Sequence, residues 1–199
     1  MTAIPQGEAG TPRSQAKAER RTALLTAAAA QFAERGYSRV SLEELGAAVG
    51  VSGPAVYRHF SGKQAVLTEL LVGVSASLRA GGQAVVDEHP DAAGTLAALV
   101  AFHVDFALGD ADVIRVQDRD LDSLAEDARH DVRRLQRSYS ELWVDALALT
   151  LPEAPRSELR VRVQAVFGLI NSTPHSVRAA SAPPTRGVLE AMALAALTA

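Results

Sequence analysis

The chain has 199 residues, of which 48% are hydrophobic and 5% aromatic, and it contains no cysteine. This length allows one or two small domains with a buried core, and the missing cysteines exclude disulfides and thiolate metal sites. The net charge of −3 is unevenly spread, because residues 1–65 carry eight Lys/Arg against five Asp/Glu and residues 66–199 carry twelve against eighteen. The N-terminal end therefore favours a nucleic acid as partner, and the acidic remainder should avoid one.

We do not expect the N-terminal segment to be a secretory signal. It lacks the apolar core of a secretory signal peptide, and no apolar run in the chain approaches the roughly 18 residues that would span a bilayer. Residues 1–14 mix Pro, Gly, Thr and Gln without periodicity, which predicts a disordered tail. We therefore expect a cytoplasmic protein that does not contact a membrane.

The first predicted helix runs to about Arg35 and ends at Gly36, because glycine readily adopts the left-handed conformation after a last helical turn. Apolar residues at helical spacing predict its buried face: Leu24, Leu25, Ala28 and Phe32. Four basic residues precede or accompany this face: Arg13, Lys17, Arg20 and Arg21. They could contact a DNA backbone, or they could simply keep the helix soluble.

The next stretch, residues 41–63, predicts two short helices joined by a tight turn. Ser41 caps the first helix, and Glu44 completes a capping box with it. Gly50 ends that helix, and Ser52 caps a second helix of about two turns. A third helix should follow at once, with another capping box formed by Ser61 and Gln64.

The outward face of the second short helix is polar. Val56 and Phe60 can pack inward, which turns Tyr57, Arg58 and His59 towards solvent. Lys63 lies in the first turn of the following helix, where a cation opposes the helix dipole. A phosphate bound there would interact favourably with both Lys63 and the helix N-terminus. This is the arrangement of a helix-turn-helix whose second helix enters the DNA major groove; the alternative is an ordinary helical hairpin with a polar surface.

This stretch resembles the DNA-binding signature of the TetR family of transcriptional regulators. The residues that carry the resemblance are Ser41, Leu45, Gly50-Val51-Ser52, Tyr57, His59-Phe60 and Lys63. Gly46 and Pro54 depart from the signature, where alanine and glycine are more usual, and Gly46 should weaken its helix by roughly 0.5–1 kcal/mol relative to alanine. The resemblance implies an all-α protein with a three-helix DNA-binding head over residues 15–62 and a larger ligand-binding and dimerisation body over residues 63–199.

Ten residues are candidates for contacting DNA. We expect the backbone to be held by polar side chains and the bases to be read by the first turns of the second short helix, with Arg58 as its long side chain. The candidates are Arg39, Ser41, Ser52, Gly53, Pro54, Ala55, Tyr57, Arg58, His59 and Lys63.

The rest of the chain predicts helices throughout and no strand. The expected segments are one from Ser61 that fades near Gly81-Gly82, then Asp91–Leu108, Ala111–Asp118, a helix capped by Ser123 and Glu126 that ends at Thr150, one through Val163–Ile170, and Thr185–Leu197 after a Pro183-Pro184 linker. Pro174 should break or kink the segment that contains it. The total is nine helices, or ten if Pro174 divides one.

Polar and aromatic residues on three apolar helices of the body could line a cavity for a small-molecule effector. They are His103, Phe106, Trp143, Phe167, Asn171 and His175. A packed core with satisfied polar tips is the alternative. Arg129, Arg133 and Arg137 recur every four residues and form either a solvated face or a site for the phosphates of a ligand such as an acyl-coenzyme A, which some similar regulators bind.

Apolar residues near the C-terminus should form the homodimer interface that the resemblance implies. They are Leu159, Val163, Val166, Val188, Leu189 and Met192. No phosphate loop, nucleophile elbow or zinc motif is present, so we expect neither an enzyme nor a cofactor. The prediction is a repressor released from a palindromic double-stranded DNA operator by a small molecule, possible ligands being an acyl-CoA or another apolar compound; the alternative is a ligand-independent architectural DNA-binding protein.

Overall fold

A computed structural model describes residues 12–89, 91–176 and 183–199. These residues form nine α-helices and two short 3-10 turns, without a strand, so the all-α prediction is confirmed. The helices are α1 Pro12–Arg35, α2 Leu42–Ala48, α3 Gly53–Val56, α4 Lys63–Glu88, α5 Ala92–Gly109, α6 Ala111–Asp120, α7 Glu126–Thr150, α8 Arg156–Ser176 and α9 Pro183–Thr198. The 3-10 turns are Tyr37–Arg39 and Leu121–Ser123. We call α1–α3 the head and α4–α9 the body.

Several helix ends differ from the expected ones. α1 begins at Pro12, so residues 12–14 are helical, whereas the rest of the expected tail lies outside the described residues. α3 has only four residues, and the chain continues to Phe60 as turns with hydrogen bonds such as His59 N to Val56 O at 2.8 Å. α8 continues past Pro174 to Ser176 undivided, and Pro183 opens α9 instead of forming a linker, since a proline in a first turn gives up no helical hydrogen bond.

Two expected capping boxes do not form. α4 and α7 have Gly62 and Ala125 at their N-cap positions, without a side-chain cap. Gln64 is used elsewhere: its amide oxygen accepts from the Tyr37 hydroxyl at 2.8 Å, and its amide nitrogen donates to the Ser123 carbonyl at 2.9 Å. Gln64, which the sequence pattern predicts as a capping residue, therefore links the two 3-10 turns to α4.

The glycine pair Gly81-Gly82 does not end α4, which continues to Glu88. The two glycines are positions where other helices approach closely. A Cβ on Gly82 would lie 2.5 Å from Tyr139 Cε2 on α7, and one on Gly81 would overlap the ring of Phe102 on α5. The glycine pair does not mark the end of the helix. It is needed because α5 and α7 leave no room for a side chain at these two positions.

Buried side chains form two clusters. The first joins the head to the N-terminal half of α4, to α6 and to the start of α7, and the second joins α5, α7, α8 and α9. α4 and α5 are long and apolar enough to span a membrane by length and composition alone, contrary to the expectation that no segment of the chain is. Both helices contribute buried residues to these clusters, as core helices do.

Candidate DNA interface and effector cavity

The first helix of the helix-turn-helix begins at the predicted capping box. Ser41 Oγ accepts from the Glu44 amide at 3.2 Å, and the Ser41 amide donates to Glu44 Oε2 at 2.8 Å. Arg35 Nη2 lies 2.7 Å from Glu44 Oε1. The hydrogen bond from the Ser41 backbone and the Arg35 guanidinium lower the pKa of Glu44 to about 2, so its carboxylate remains charged and fixed at neutral pH. The start of α2 is thereby held against the end of α1.

The turn between α2 and α3 depends on two glycines. Gly50 has a φ of 70°, in the left-handed region that glycine adopts without strain. A Cβ on Gly46 would lie 2.7 Å from Val56 Cγ2 and 2.8 Å from the Val51 carbonyl oxygen. The expected advantage of alanine at Gly46 therefore does not hold, because alanine would push α3 away from α2.

The residues after α3 are only partly oriented as predicted. Val56 and Phe60 are buried, and Tyr57 and Arg58 are exposed. His59 is half-buried, and its Nδ1 has no hydrogen-bond partner in the described part of the chain. Burial lowers the pKa of His59, and the charges of Lys17, Arg21, Arg20 and Arg58 lower it further. The imidazole is therefore a half-buried, neutral group within a cluster of cations, and it is not turned fully towards solvent as predicted.

One residue of this cationic cluster has a structural role. Arg21 Nε donates to Glu69 Oε1 at 2.5 Å, its Nη1 donates to the His59 carbonyl, and its guanidinium lies 4.4 Å from the centre of the Phe60 ring. Arg21 thus joins α1 to the segment after α3 and to α4. Lys17 and Arg20 remain exposed beside it, and they keep the predicted option of contacting a DNA backbone.

An open groove of about 470 Å³ lies between the N-termini of α2 and α4 and brings together four of the phosphate candidates: Arg39, Ser41, Tyr57 and Lys63. Lys63 Nζ donates to the Tyr37 carbonyl at 2.9 Å and to the Ser38 carbonyl at 3.3 Å. These two carbonyl oxygens already offset the unfavourable interaction between the Lys63 charge and the α4 dipole. A phosphate is therefore not needed at this position, contrary to the prediction. An ammonium has three N–H groups, which leaves one for an anion in the groove.

The base-reading candidates lie at the start of α3. Ser52 occupies the N-cap position without a capping hydrogen bond from its side chain; Ser52 and Pro54 are exposed, and Gly53 and Ala55 are half-buried. Glu43 was missed by sequence reasoning. Its Cγ lies 3.2 Å from where a Cβ on Gly53 would be, so a carboxylate adjoins the first turn of α3. Only the folded turn between α2 and α3 brings Glu43 to this place.

Arg39 is an exposed cation of the groove, and the salt dependence of DNA binding tests whether it contacts the DNA backbone. We expect Arg39→Ala to weaken binding to every duplex alike and to reduce the log–log slope of affinity against salt by about one unit per head. Arg134→Ala is the matched control, since Arg134 pairs with Asp131 on the body. Fluorescence anisotropy with one duplex at several salt concentrations measures both variants. A slope that Arg39→Ala does not change would contradict the assignment.

The body contains a cavity of about 690 Å³ between α4, α5, α6, α7 and α8. Four of the six predicted ligand residues line it: His103, Phe106, Phe167 and Asn171. Trp143 is fully buried behind the wall, with its ring centroid 5.0 Å from that of Phe167, and the side chain of His175 lies outside the described residues. Four of the six predicted residues therefore converge on one space.

His103 lies at the inner end of this cavity. Its Nε2 is 3.2 Å from Asn171 Oδ1, and its Nδ1 is 3.3 Å from the hydroxyl of Tyr139. Burial lowers the pKa of His103 to about 4, so the ring is neutral at physiological pH. The ring centroid of Phe167 lies 4.7 Å away, and those of Phe106, Tyr139 and Trp143 lie within 5.8 Å. Sequence reasoning missed Tyr139, because its helical spacing is that of an ordinary core position and gives no signal for this contact.

The mouth of the cavity is polar and positively charged. Arg133 and Arg137 of the predicted stripe line it, together with Arg160 from α8. Arg160 is paired with Glu141 at 2.7 Å, whereas Arg137 has no acidic partner within 4.0 Å among the described residues. Arg129 is not a lining residue; it lies 3.7 Å from Asp122, which Arg133 also approaches, at 3.8 Å. Only part of the stripe is therefore placed to meet a ligand.

The structure contradicts most of the predicted dimer interface. Leu159, Val163 and Val166 are fully buried in the second cluster of the same chain, and Leu189 is 8% exposed. They cannot also cover a partner. Val188 and Met192 remain exposed on α9, and Val161 on α8 is exposed as well. Exposed apolar side chains on α8 and α9 are thus still available to a second copy.

Comparisons with known proteins agree with this arrangement. Residues 24–70 match the profile of bacterial regulatory proteins of the tetR family, and residues 89–175 match the tetracyclin repressor-like C-terminal domain. The HTH-type transcriptional repressor KstR2 of Rhodococcus jostii is 27% identical over 149 residues, which are 74% of this chain and 73% of the relative.

Solved structures give the same fold. A TetR-family transcriptional regulator from Bordetella parapertussis superimposes with a TM-score of 0.79 at 26% identity, over 88% of this chain and 92% of that one. FadR from Bacillus subtilis in complex with stearoyl-CoA superimposes with a TM-score of 0.69 at 18% identity, over 89% of this chain and 97% of that one.

A helix-turn-helix head on a helical body defines a DNA-binding transcriptional regulator. The two profile matches together with the fold place the chain more narrowly: it belongs to the TetR family. Regulators of this family bind DNA operators, act as dimers and bind small-molecule effectors.

Proposed function

We propose that this protein is a cytoplasmic, homodimeric repressor that leaves a palindromic operator when a small molecule binds in the body cavity. The observation that carries the proposal is that one helix of ten residues, α6, contacts both the cavity and the head. Ile114 and Gln117 line the cavity. Arg119 and Asp120, within the next turn, contact the end of α1 and the 3-10 turn that follows it.

The contacts between α6 and the head satisfy backbone groups of the head. Arg119 donates to the carbonyls of Phe32 and Ala33 in the last turn of α1, the latter at 3.2 Å. Asp120 Oδ2 accepts from the Tyr37 amide at 3.4 Å and lies 3.0 Å from Arg119 Nη2. Tyr37 and Ser38 in turn hold Lys63 at the DNA-facing groove. A ligand that shifts α6 would thus move the residues that set the position of α2 and the groove.

The lining of the cavity supports an amphipathic effector. Aromatic side chains surround its inner end, and Arg133 and Arg137 lie at its mouth, where they could pair with a phosphate or carboxylate. Acyl-coenzyme A thioesters have this combination of an apolar chain and an anionic head. The stearoyl-CoA complex of Bacillus subtilis FadR, which has the same fold, adds support for that class. A different apolar compound with an anionic end would satisfy the same residues.

Release from the operator tests the proposal. A duplex selected from a random DNA pool by the purified protein supplies the operator, and fluorescence anisotropy measures its affinity. We expect stearoyl-CoA to lower that affinity about tenfold or more, within the usual range of allosteric coupling, and coenzyme A alone to have little effect. An operator that stays bound with acyl-CoAs of every chain length would favour the ligand-independent architectural role.

A further inference from the structure

We propose that the inner end of the cavity selects ligands that carry a carbonyl oxygen, which accepts a hydrogen bond from the side-chain amide nitrogen of Asn171. The inference rests on the proposed function, since it takes this cavity as the effector site. The inference specifies the chemical group that the site recognises. It also names the three residues whose hydrogen bonds make the site a donor: Tyr139, His103 and Asn171.

The direction of the hydrogen bonds follows from what each atom can do. Asn171 Oδ1 can only accept, so His103 Nε2, 3.2 Å away, carries the proton and donates to it. A neutral imidazole has one N–H, so His103 Nδ1 has a lone pair and accepts from the Tyr139 hydroxyl at 3.3 Å. The chain of donors thus runs from Tyr139 through His103 to Asn171.

Trp143 opposes the reverse direction. Its Nε1 is fully buried without a hydrogen-bond partner of good geometry among the described residues. Burial raises the pKa of Tyr139, and the nearby indole N–H opposes this effect, which places a second donor beside the same hydroxyl. In the reverse direction His103 and the indole would both donate to the Tyr139 hydroxyl, and the hydroxyl proton would lose His103 Nδ1 as its acceptor. The buried tyrosine therefore favours donation to His103.

This direction leaves the two N–H groups of the Asn171 amide pointing away from His103, and Asn171 lines the cavity. They have no acceptor in the part of the chain that the structure describes, because the contact given for this side chain is the one through Oδ1. Phe106 and Phe167, which border the same space, offer no acceptor. A ligand carbonyl would satisfy the amide, whereas a hydrocarbon would leave it unpaired, at a cost of roughly tenfold or more in affinity.

A pair of rigid probes of the same shape tests the proposal: 2-tetralone, which has a ketone, and tetralin, which does not. Trp143 is the sole tryptophan of the chain and adjoins the cavity wall, so its fluorescence reports binding. The quantity to compare is the ratio of the two dissociation constants. We expect Asn171→Leu to shift this ratio against 2-tetralone about tenfold or more. Asn171→Asp, which keeps the acceptor and lacks the N–H groups, should shift it in the same direction.

Gln164→Met is the matched control, since Gln164 also lines the cavity but its amide nitrogen already donates to Ser140 Oγ at 3.2 Å. It should leave the ratio unchanged. Tyr139→Phe frees His103 to take either tautomer and should reduce the preference for the ketone without removing the amide. An unchanged ratio in both Asn171 variants would overturn the proposal, and so would a wild-type protein that binds neither probe. Operator affinity, measured without probes, shows separately whether the regulatory function holds.

Discussion

Aspartate at both Val188 and Met192 should give a folded monomer whose affinity for the operator is lower by about a hundredfold or more. The two side chains are 54% and 51% exposed and lie four residues apart on the same face of α9. Val161 on α8 is 68% exposed. Two charges placed on this apolar surface would have to be buried unpaired in a dimer, which is strongly unfavourable.

The loss of affinity follows from the geometry of a two-fold operator. A dimer holds its two recognition segments about one turn of B-DNA apart, so that each enters the major groove at one half-site. Once one head is bound, the second binds intramolecularly, an advantage of about 10² to 10⁴ in affinity. A monomer loses this advantage while each head remains intact. It should therefore keep weak binding that depends on salt more than on sequence.

Leu149→Asp is the control, because Leu149 is 75% exposed on α7 and its replacement adds a charge to an apolar surface residue elsewhere. We expect this variant to sediment as a dimer and to bind the operator like the wild-type protein. If the double variant also sediments as a dimer, the interface lies on another surface. A double variant that is monomeric and binds with full affinity would contradict the two-headed mechanism itself.

The head could be predicted from sequence because its signals are local. The capping box of Ser41 and Glu44 involves residues three apart, and the left-handed turn at Gly50 depends on one residue. The same reasoning failed for Gln64, because its partners Tyr37 and Ser123 are 27 and 59 residues away. A capping pattern indicates that a cap is possible, and only the folded chain decides whether a distant partner takes the side chain instead.

The body was predictable in its helices but less so in its surfaces. Helical spacing shows that Val163 and Val166 share an apolar face, but it does not show whether that face meets the same chain or a partner. In the structure that face is covered by the protein's own second cluster. The polar contact of His103 with Tyr139 likewise joins residues 36 apart whose spacing within each helix is that of ordinary core positions.

Gly82→Ala should destabilise the protein, although alanine is the better helix former. A Cβ at this position would lie 2.5 Å from Cε2 and 2.9 Å from Cδ2 of the Tyr139 ring. Tyr139 cannot move freely, since it is stacked on Phe167 at 5.7 Å and hydrogen-bonded to His103. Overpacking of this kind costs about 1–3 kcal/mol, which exceeds the gain of roughly 1 kcal/mol in helix propensity.

Gly73→Ala in the same helix provides the matched control, because a Cβ at Gly73 would meet nothing within 4 Å. Here the propensity gain of roughly 1 kcal/mol is unopposed, so the Tm should rise by about 2–4 °C in a domain of this size. Gly82→Ala should instead lower the Tm by several degrees and, because it displaces Tyr139, should also weaken the preference for 2-tetralone over tetralin. Circular dichroism during heating measures the Tm of both variants. If both variants raised the Tm equally, α4 and α7 would not approach each other as closely as they do in the structure. Gly82 would then not contact Tyr139, and α4 would not be linked to the effector cavity through that ring.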